Sequence, residues 1–276
     1  MMYNRNRFQD MLPKFIILFF ISTIASIGLH GDEPILVGCA ANFRLAMSKI
    51  ISKFESKYTG GRVKVVYASS GKLAAQIIHG APYDLFLAAD LERPKRILQA
   101  GYASSKILTY AIGSLVIFNH KGFSTNNWEM LLEDPTTRFI GIANPNLAPY
   151  GQAALETMKR LKLYSKIESK IIHGENIMQT AHLALRATDL AFLSKSSLKT
   201  LALQPYDLEG IYWLPVSPTL HKPIMQGMLL LKLGSKKKLA QSFFEFMTSD
   251  EVTRILGETG YLVPNKTDYE LNPDGI

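Results

Sequence analysis

Four short segments carry the chain's most suggestive chemistry: CAANF at 39–43, ASSGK at 68–72, APYGQ at 148–152 and GENIM at 174–178. Each joins a strand or loop to the start of a helix, and only Lys72, two residues inside its turn, brings a positive charge. A helix start leaves its first N–H groups without intrahelical partners and carries the positive end of the peptide dipoles. Asn42 and Ser70 add a carboxamide and a hydroxyl that can donate, although each alone also fits simple N-capping. Several such starts facing one cleft would hold an anion. Dipole terms of roughly 0.3–1 kcal/mol per helix fall short of the ~8 kcal/mol of a micromolar site. Hydrogen bonds to a charged group, at roughly 1.5–3 kcal/mol each, reach it with about five or six donors and no counter-charge. In APYGQ, Pro149 sets the approach of the chain, and Gly151 is expected to leave room for a ligand against the N–H of Tyr150.

Positioning these segments requires strands that alternate with helices. ILVGCA reads as a buried strand, after which Phe43, Met47, Ile50, Ile51 and Phe54 recur at helical spacing until Gly60–Gly61. VKVVY (63–67) and DLFLAA (84–89) are the next strands, each followed by a helix, through Leu73 to Ile78 and from about Arg93 to Ala100. The pattern then repeats: strand 114–118, helix 128–134, strand 138–143, helices 150–163 and 175–187, and strand 190–193. An extended run at 224–232 and a helix at 237–248 close the chain. Alternation of this kind implies parallel βαβ units, and ligands of open α/β sheets bind beyond the carboxyl ends of the strands. No Ser- or Pro-rich linker separates the halves, so two lobes joined by crossing strands is the economical arrangement.

The first residues read as an export signal. Arg5, Arg7 and Lys14 precede an apolar run from Phe15 to Leu29, shorter than the ~20 residues that span a bilayer. Removing it leaves about 245 residues, enough for two lobes, and lowers the net charge from +8 to about +6. The cations are dispersed, as in Lys49, Lys53 and Lys57 along one helix, which fits a solvated face and no nucleic acid. Cys39 is the only cysteine, so no intramolecular disulfide forms. LVGC (36–39) has the look of a lipoprotein cleavage box, but cutting there would discard a strand, and a buried structural role is the better expectation.

At the helix starts the sequence resembles the molybdate-binding proteins of bacterial ABC importers. CAANF, the stretch from Tyr67 to Ile97, IANPNLAPYGQAALE, ENIMQTA and LAFLSKSSL follow the family's order and spacing. The resemblance implies an α/β, two-lobed periplasmic-binding-protein fold of type II, with mixed sheets flanked by helices and a ligand cleft between the lobes. It implies a signal peptide at 1–31, a first lobe of 32–113 with 229–276, and a second of 114–228, hinged near Gly113–Ser114 and Gln226–Gly227. The ligand would be molybdate or tungstate, with no cofactor. It would be held by Asn42 and Ser70 through side chain and backbone, by the N–H groups of Tyr150 and Ile177, and by that of Ala41. A periplasmic monomer is expected, handing its ligand to a membrane permease with its ATPase. Where some relatives use a tyrosine hydroxyl, this chain has Ser194, a shorter donor.

Other readings compete at particular residues. Sulfate would need a smaller cleft, and phosphate would need a carboxylate acceptor, for which Asp84 and Asp90 stand nearest in sequence. An enzyme on the same architecture has little to work with. The six histidines show no metal-ligand spacing, His173 and Glu175 are the one acid–base pair near the proposed cleft, and Cys39 has no visible base.

Overall fold

The computed structural model describes residues 33–58 and 60–264, so the expected export segment lies outside the described residues. β1 (Ile35–Ala40) passes through a 3-10 turn at Ala41–Phe43 into α1 (Arg44–Lys57), β2 (Val63–Ala68) leads to α2 (Ser70–Ile78), and β3 (Leu85–Leu87) to α3 (Glu92–Gln99). β4 (Leu108–Gly113) and β5 (Leu115–Phe118) meet at Ser114. The second half runs α4 (Trp128–Glu133), β6 (Ile140–Ala143), α5 (Pro149–Arg160), α6 (Tyr164–Ile167), β7 (Ile171–Gly174) and α7 (Ile177–Ala184). β8 (Leu190–Ser194), α8 (Lys195–Leu198), β9 (Trp213–Pro215), β10 (Ile224–Leu230), α9 (Lys238–Phe246) and α10 (Asp250–Glu258) complete it.

Two five-stranded sheets result, ordered β2-β1-β3-β10-β4 and β7-β6-β8-β5-β9. In each, a central strand pairs in parallel with two neighbours, β1 with β2 and β3, β6 with β7 and β8. In each, the remaining pairs are antiparallel, through β10 in the first sheet and β5 in the second. Helices cover both faces of the inner strands, which is why β1, β3, β5 and β6 read as continuous apolar runs, while the edge strand β2 alternates with Lys64 and Val66 exposed. On β3, Leu85 and Leu87 pack with Val37, Phe43, Phe54 and Phe243, while Phe86 turns the other way to Leu73, Ile77, Ile97 and Leu229. The second sheet has its own core, in which Trp128 meets Phe192 edge-on at 5.8 Å between centroids.

The expected two-lobed, mixed-sheet architecture is present, with differences at its joints. The run at 224–232, divided in expectation between lobes at 228/229, belongs to the first sheet from its first residue, because Ile224 already pairs with Gly113. β10 must be this long to fill the space between β3 and β4, pairing with the one through Met228–Leu230 and with the other through Ile224–Met228. The helix expected at 175–187 starts at Ile177, since Asn176 is its cap. α10 carried no expectation, although Ser249 caps it by accepting from the N–H of Val252 and its apolar positions Val252, Ile255 and Leu256 keep helical spacing.

Candidate oxyanion-binding site

The carboxyl ends of β1, β2, β6 and β7 converge, and the turns that follow them enclose one small cavity. Ala41, Asn42, Ser70, Tyr150 and Ile177 all line it, together with Ser69. The cavity is far smaller than the roughly 300–1,000 Å³ of sites for drug-sized ligands. Such a site admits a compact guest.

The local sequence at each helix start determines which N–H groups face the guest. At α7 the Asn176 side chain accepts from the N–H groups of Met178 and Gln179 at 3.0 and 3.1 Å, which leaves that of Ile177. At α5, Pro149 has no N–H, and the Ala148 carbonyl takes those of Gly151 and Gln152, which leaves that of Tyr150. At α2, Gly71 donates to the Leu147 carbonyl at 2.9 Å. Among the described residues, no acceptor is bonded to the N–H of Ser70, Tyr150 or Ile177. The NPNLA turn holds itself together, with Asn144 accepting from Asn146, Leu147 and Ala148. Gly151 makes no room for a ligand, contrary to expectation. A Cβ there would lie 1.9 Å from the Ala143 carbonyl oxygen, so glycine is needed to bring α5 against the end of β6.

The side chains divide differently from the sequence expectation. Ser70 Oγ accepts the N–H of Ala89 at 2.9 Å, so its own hydrogen is directed elsewhere, available to an anion. Ser69 Oγ, buried at the cavity wall, has no partner among the described residues, and its place beside Ser70 was the signal that could have found it. The Asn42 carboxamide faces away in function: Nδ2 donates to Gln226 Oε1 at 2.9 Å and to the Tyr261 hydroxyl at 3.0 Å. Both hydrogens of that amide are therefore engaged, and Asn42 meets the cavity through its place in the 3-10 turn. Ser194 is taken up by its neighbours, 2.6 Å from Ser197 Oγ and accepting the Ser197 N–H as the cap of α8.

No carboxylate and no cation lines the cavity among the described residues. Asp84 is buried elsewhere, accepting from Leu36 N–H at 2.7 Å and from Lys237 at 3.0 Å, and Asp90 holds Arg93. His173 is exposed on β7, and Glu175 pairs with Lys72 at 2.6 Å on the rim, so that acid–base pair does not form a site. Cys39 is fully buried in β1, where burial pushes its thiol well above the ordinary range and holds it in the inert protonated form. Burial likewise raises the phenols of Tyr110, Tyr150 and Tyr261, so these remain neutral donors.

Two α/β sheets with a donor-lined cavity where their helix starts converge define a binding protein for a small anionic solute. The chain belongs to the bacterial extracellular solute-binding proteins, whose family model matches residues 35–262. It is 32% identical over 230 residues to the molybdate-binding protein ModA of Rhodobacter capsulatus, covering 83% of this chain and 88% of that one. Among solved structures, the Azotobacter vinelandii periplasmic molybdate-binding protein superposes with a TM-score of 0.76 at 29% identity, over 84% of this chain and 100% of that one. The sulfate-binding protein SubI of Mycobacterium tuberculosis, at 13% identity and a TM-score of 0.67 over 86% of this chain and 88% of that one, shares the fold alone. The two molybdate-binding relatives are binding proteins by name, and the chain is a solute-binding protein of a transporter rather than an enzyme.

Proposed function

We propose that the protein captures molybdate, and tungstate with it, in the periplasm and delivers the anion to the permease and ATPase of an ABC importer. The observation that carries this reading is the set of unpaired donors: the N–H groups of Ser70, Tyr150 and Ile177 and the hydroxyls of Ser69 and Ser70 around a cavity without a carboxylate. With the 3-10 turn at Ala41 and Asn42, they approach the five or six charged hydrogen bonds that a micromolar site requires at roughly 1.5–3 kcal/mol each. A fully ionised tetrahedral oxyanion accepts from every direction and suits a donor-only wall. A protonated phosphate would call for a charged acceptor, and no carboxylate lines the cavity among the described residues to supply one.

In this reading residues 1–31 direct export, and the mature chain acts as a free monomer with no cofactor. Its two lobes, meeting at Gly113–Ser114 and between Pro215 and Ile224, close on the ligand because both donate to it. Calorimetric titration of the mature protein with molybdate, tungstate, sulfate and phosphate tests it. One-to-one binding of the first two, tighter than of the others, is the expected result; a preference for sulfate or phosphate overturns the ligand while leaving an anion trap.

A further inference from the structure

Gln226 is the one amide side chain on the otherwise apolar strand β10, and it is fully buried. It does not line the cavity, yet it bonds residues that do, from both sheets. Its Oε1 accepts from Asn42 Nδ2 at 2.9 Å, on the turn after β1, and from the Tyr110 hydroxyl at 3.0 Å. Its Nε2 donates at 3.1 Å to the hydroxyl of Tyr150, whose N–H faces the cavity from the other sheet. Tyr261 closes the group, accepting from Asn42 Nδ2 and donating to the Asn42 carbonyl at 2.8 Å.

The backbone is shaped to allow this. The pairing of β10 with β4 slips between Gln226 and Gly227, opposite Ala111 and Thr109 respectively, so Tyr110 is an extra residue on β4. A bulge of this kind re-aims a side chain, and here it puts the Tyr110 phenol on the face where Gln226 lies. At Gly113 a Cβ would sit 2.1 Å from the Tyr150 hydroxyl oxygen and 2.9 Å from Gln226 Nε2, so the missing side chain is the space that the junction occupies.

Granting the oxyanion reading above, we infer that Gln226 is a positioning residue that sets the separation between Asn42 and Tyr150, and thereby the size of anion the cavity accepts. The phenol of Tyr150 reaches from the second sheet into the first, so the same residue that offers an N–H to the ligand is tied at its far end to the strand that carries Gln226. Both sheets' contributions are referred to one buried amide beside the crossing point of the chain. All five groups are neutral and buried, and of the five only Tyr110 has another acceptor at hand among the described residues, the Ala88 carbonyl at 3.1 Å, so breaking the group at Gln226, Asn42 or Tyr150 strands a buried polar atom.

The test compares wild type, Gln226→Met, Tyr150→Phe and the double variant for thermal stability and for the Kd of molybdate and, by competition, of sulfate. Gln226→Met keeps the length of the side chain without its hydrogen bonds, and Tyr150→Phe keeps the backbone N–H. Each single variant is expected to weaken molybdate binding at least tenfold and to shrink the preference over sulfate at least fivefold, and the double variant is expected to be no worse than the worse single one. Lower melting temperatures with an unchanged molybdate-to-sulfate ratio would reduce Gln226 to a structural residue, and strictly additive effects would remove the link to Tyr150. If Gln226→Met does not fold, Tyr150→Phe alone decides: an unchanged ratio refutes the inference. Failure of the wild type to bind molybdate is a separate result, and refutes the functional reading instead.

Discussion

Ser70 has two tasks that one hydroxyl can perform together. It accepts the N–H of Ala89 with a lone pair, and its hydrogen is left to an anion. Ser70→Ala removes a donor from the guest and leaves a buried N–H without an acceptor, which costs about 1–3 kcal/mol. A titration is expected to show oxyanion binding at least tenfold weaker, with a lower melting temperature; unchanged affinity would place the ligand elsewhere. Asn42 illustrates the opposite division. Its residue type invites a side-chain ligand, but both hydrogens of the amide are engaged, with Gln226 and Tyr261. Sequence reading cannot see that, because those partners lie 184 and 219 residues away along the chain.

At the scale of elements, the helix starts were legible because their signals are local. Proline at the first position of α5 and apolar periodicity lie within a few residues of what they determine, whereas the expected start of α7 at 175 overlooks the Asn176 cap. β4, β7 and β9 were not, because LTYAIG, IIHG and WLP mix polar, glycine or proline positions into the run and take their strand character from their neighbours in the sheet. The place where β10 begins is hidden for the same reason, since the pairing of Ile224 with Gly113 is a contact between distant segments. Gly151 shows how packing overrides a local guess: its lack of a side chain serves the seating of α5 on β6. Gly151→Ala must therefore push α5 away from the Ala143 carbonyl, carrying the Tyr150 N–H with it. The expected outcome is a loss of about 1–3 kcal/mol of stability in denaturant unfolding, together with weaker anion binding. A variant with wild-type stability would show that α5 is not held at that distance.

At the scale of the whole molecule, the two halves touch across the cleft through contacts of unequal weight. Gly71 donates to the Leu147 carbonyl at 2.9 Å, Arg93 to the Asn146 carbonyl at 3.0 Å, and Lys72 meets Glu175 at 2.6 Å. The ion pair is the obvious candidate for a latch, but its side chains are 51% and 45% exposed, and pairs in that setting contribute about 0–1 kcal/mol. The cavity behind it carries no formal charge, and burial keeps the phenols of Tyr110, Tyr150 and Tyr261 protonated well above neutral pH. With no group at the site gaining or losing a proton there, linkage requires the affinity for an ionised oxyanion to be flat between about pH 6 and pH 9. Glu175→Gln should change it by less than about fivefold, within the range allotted to an exposed pair. Titrations of both proteins across that pH range check the two expectations at once. A tenfold loss in Glu175→Gln would mean that the rim ion pair latches the closed form, and a steep pH profile would mean that a titrating group takes part in binding; flat profiles that coincide leave the directed N–H and O–H groups as the source of affinity.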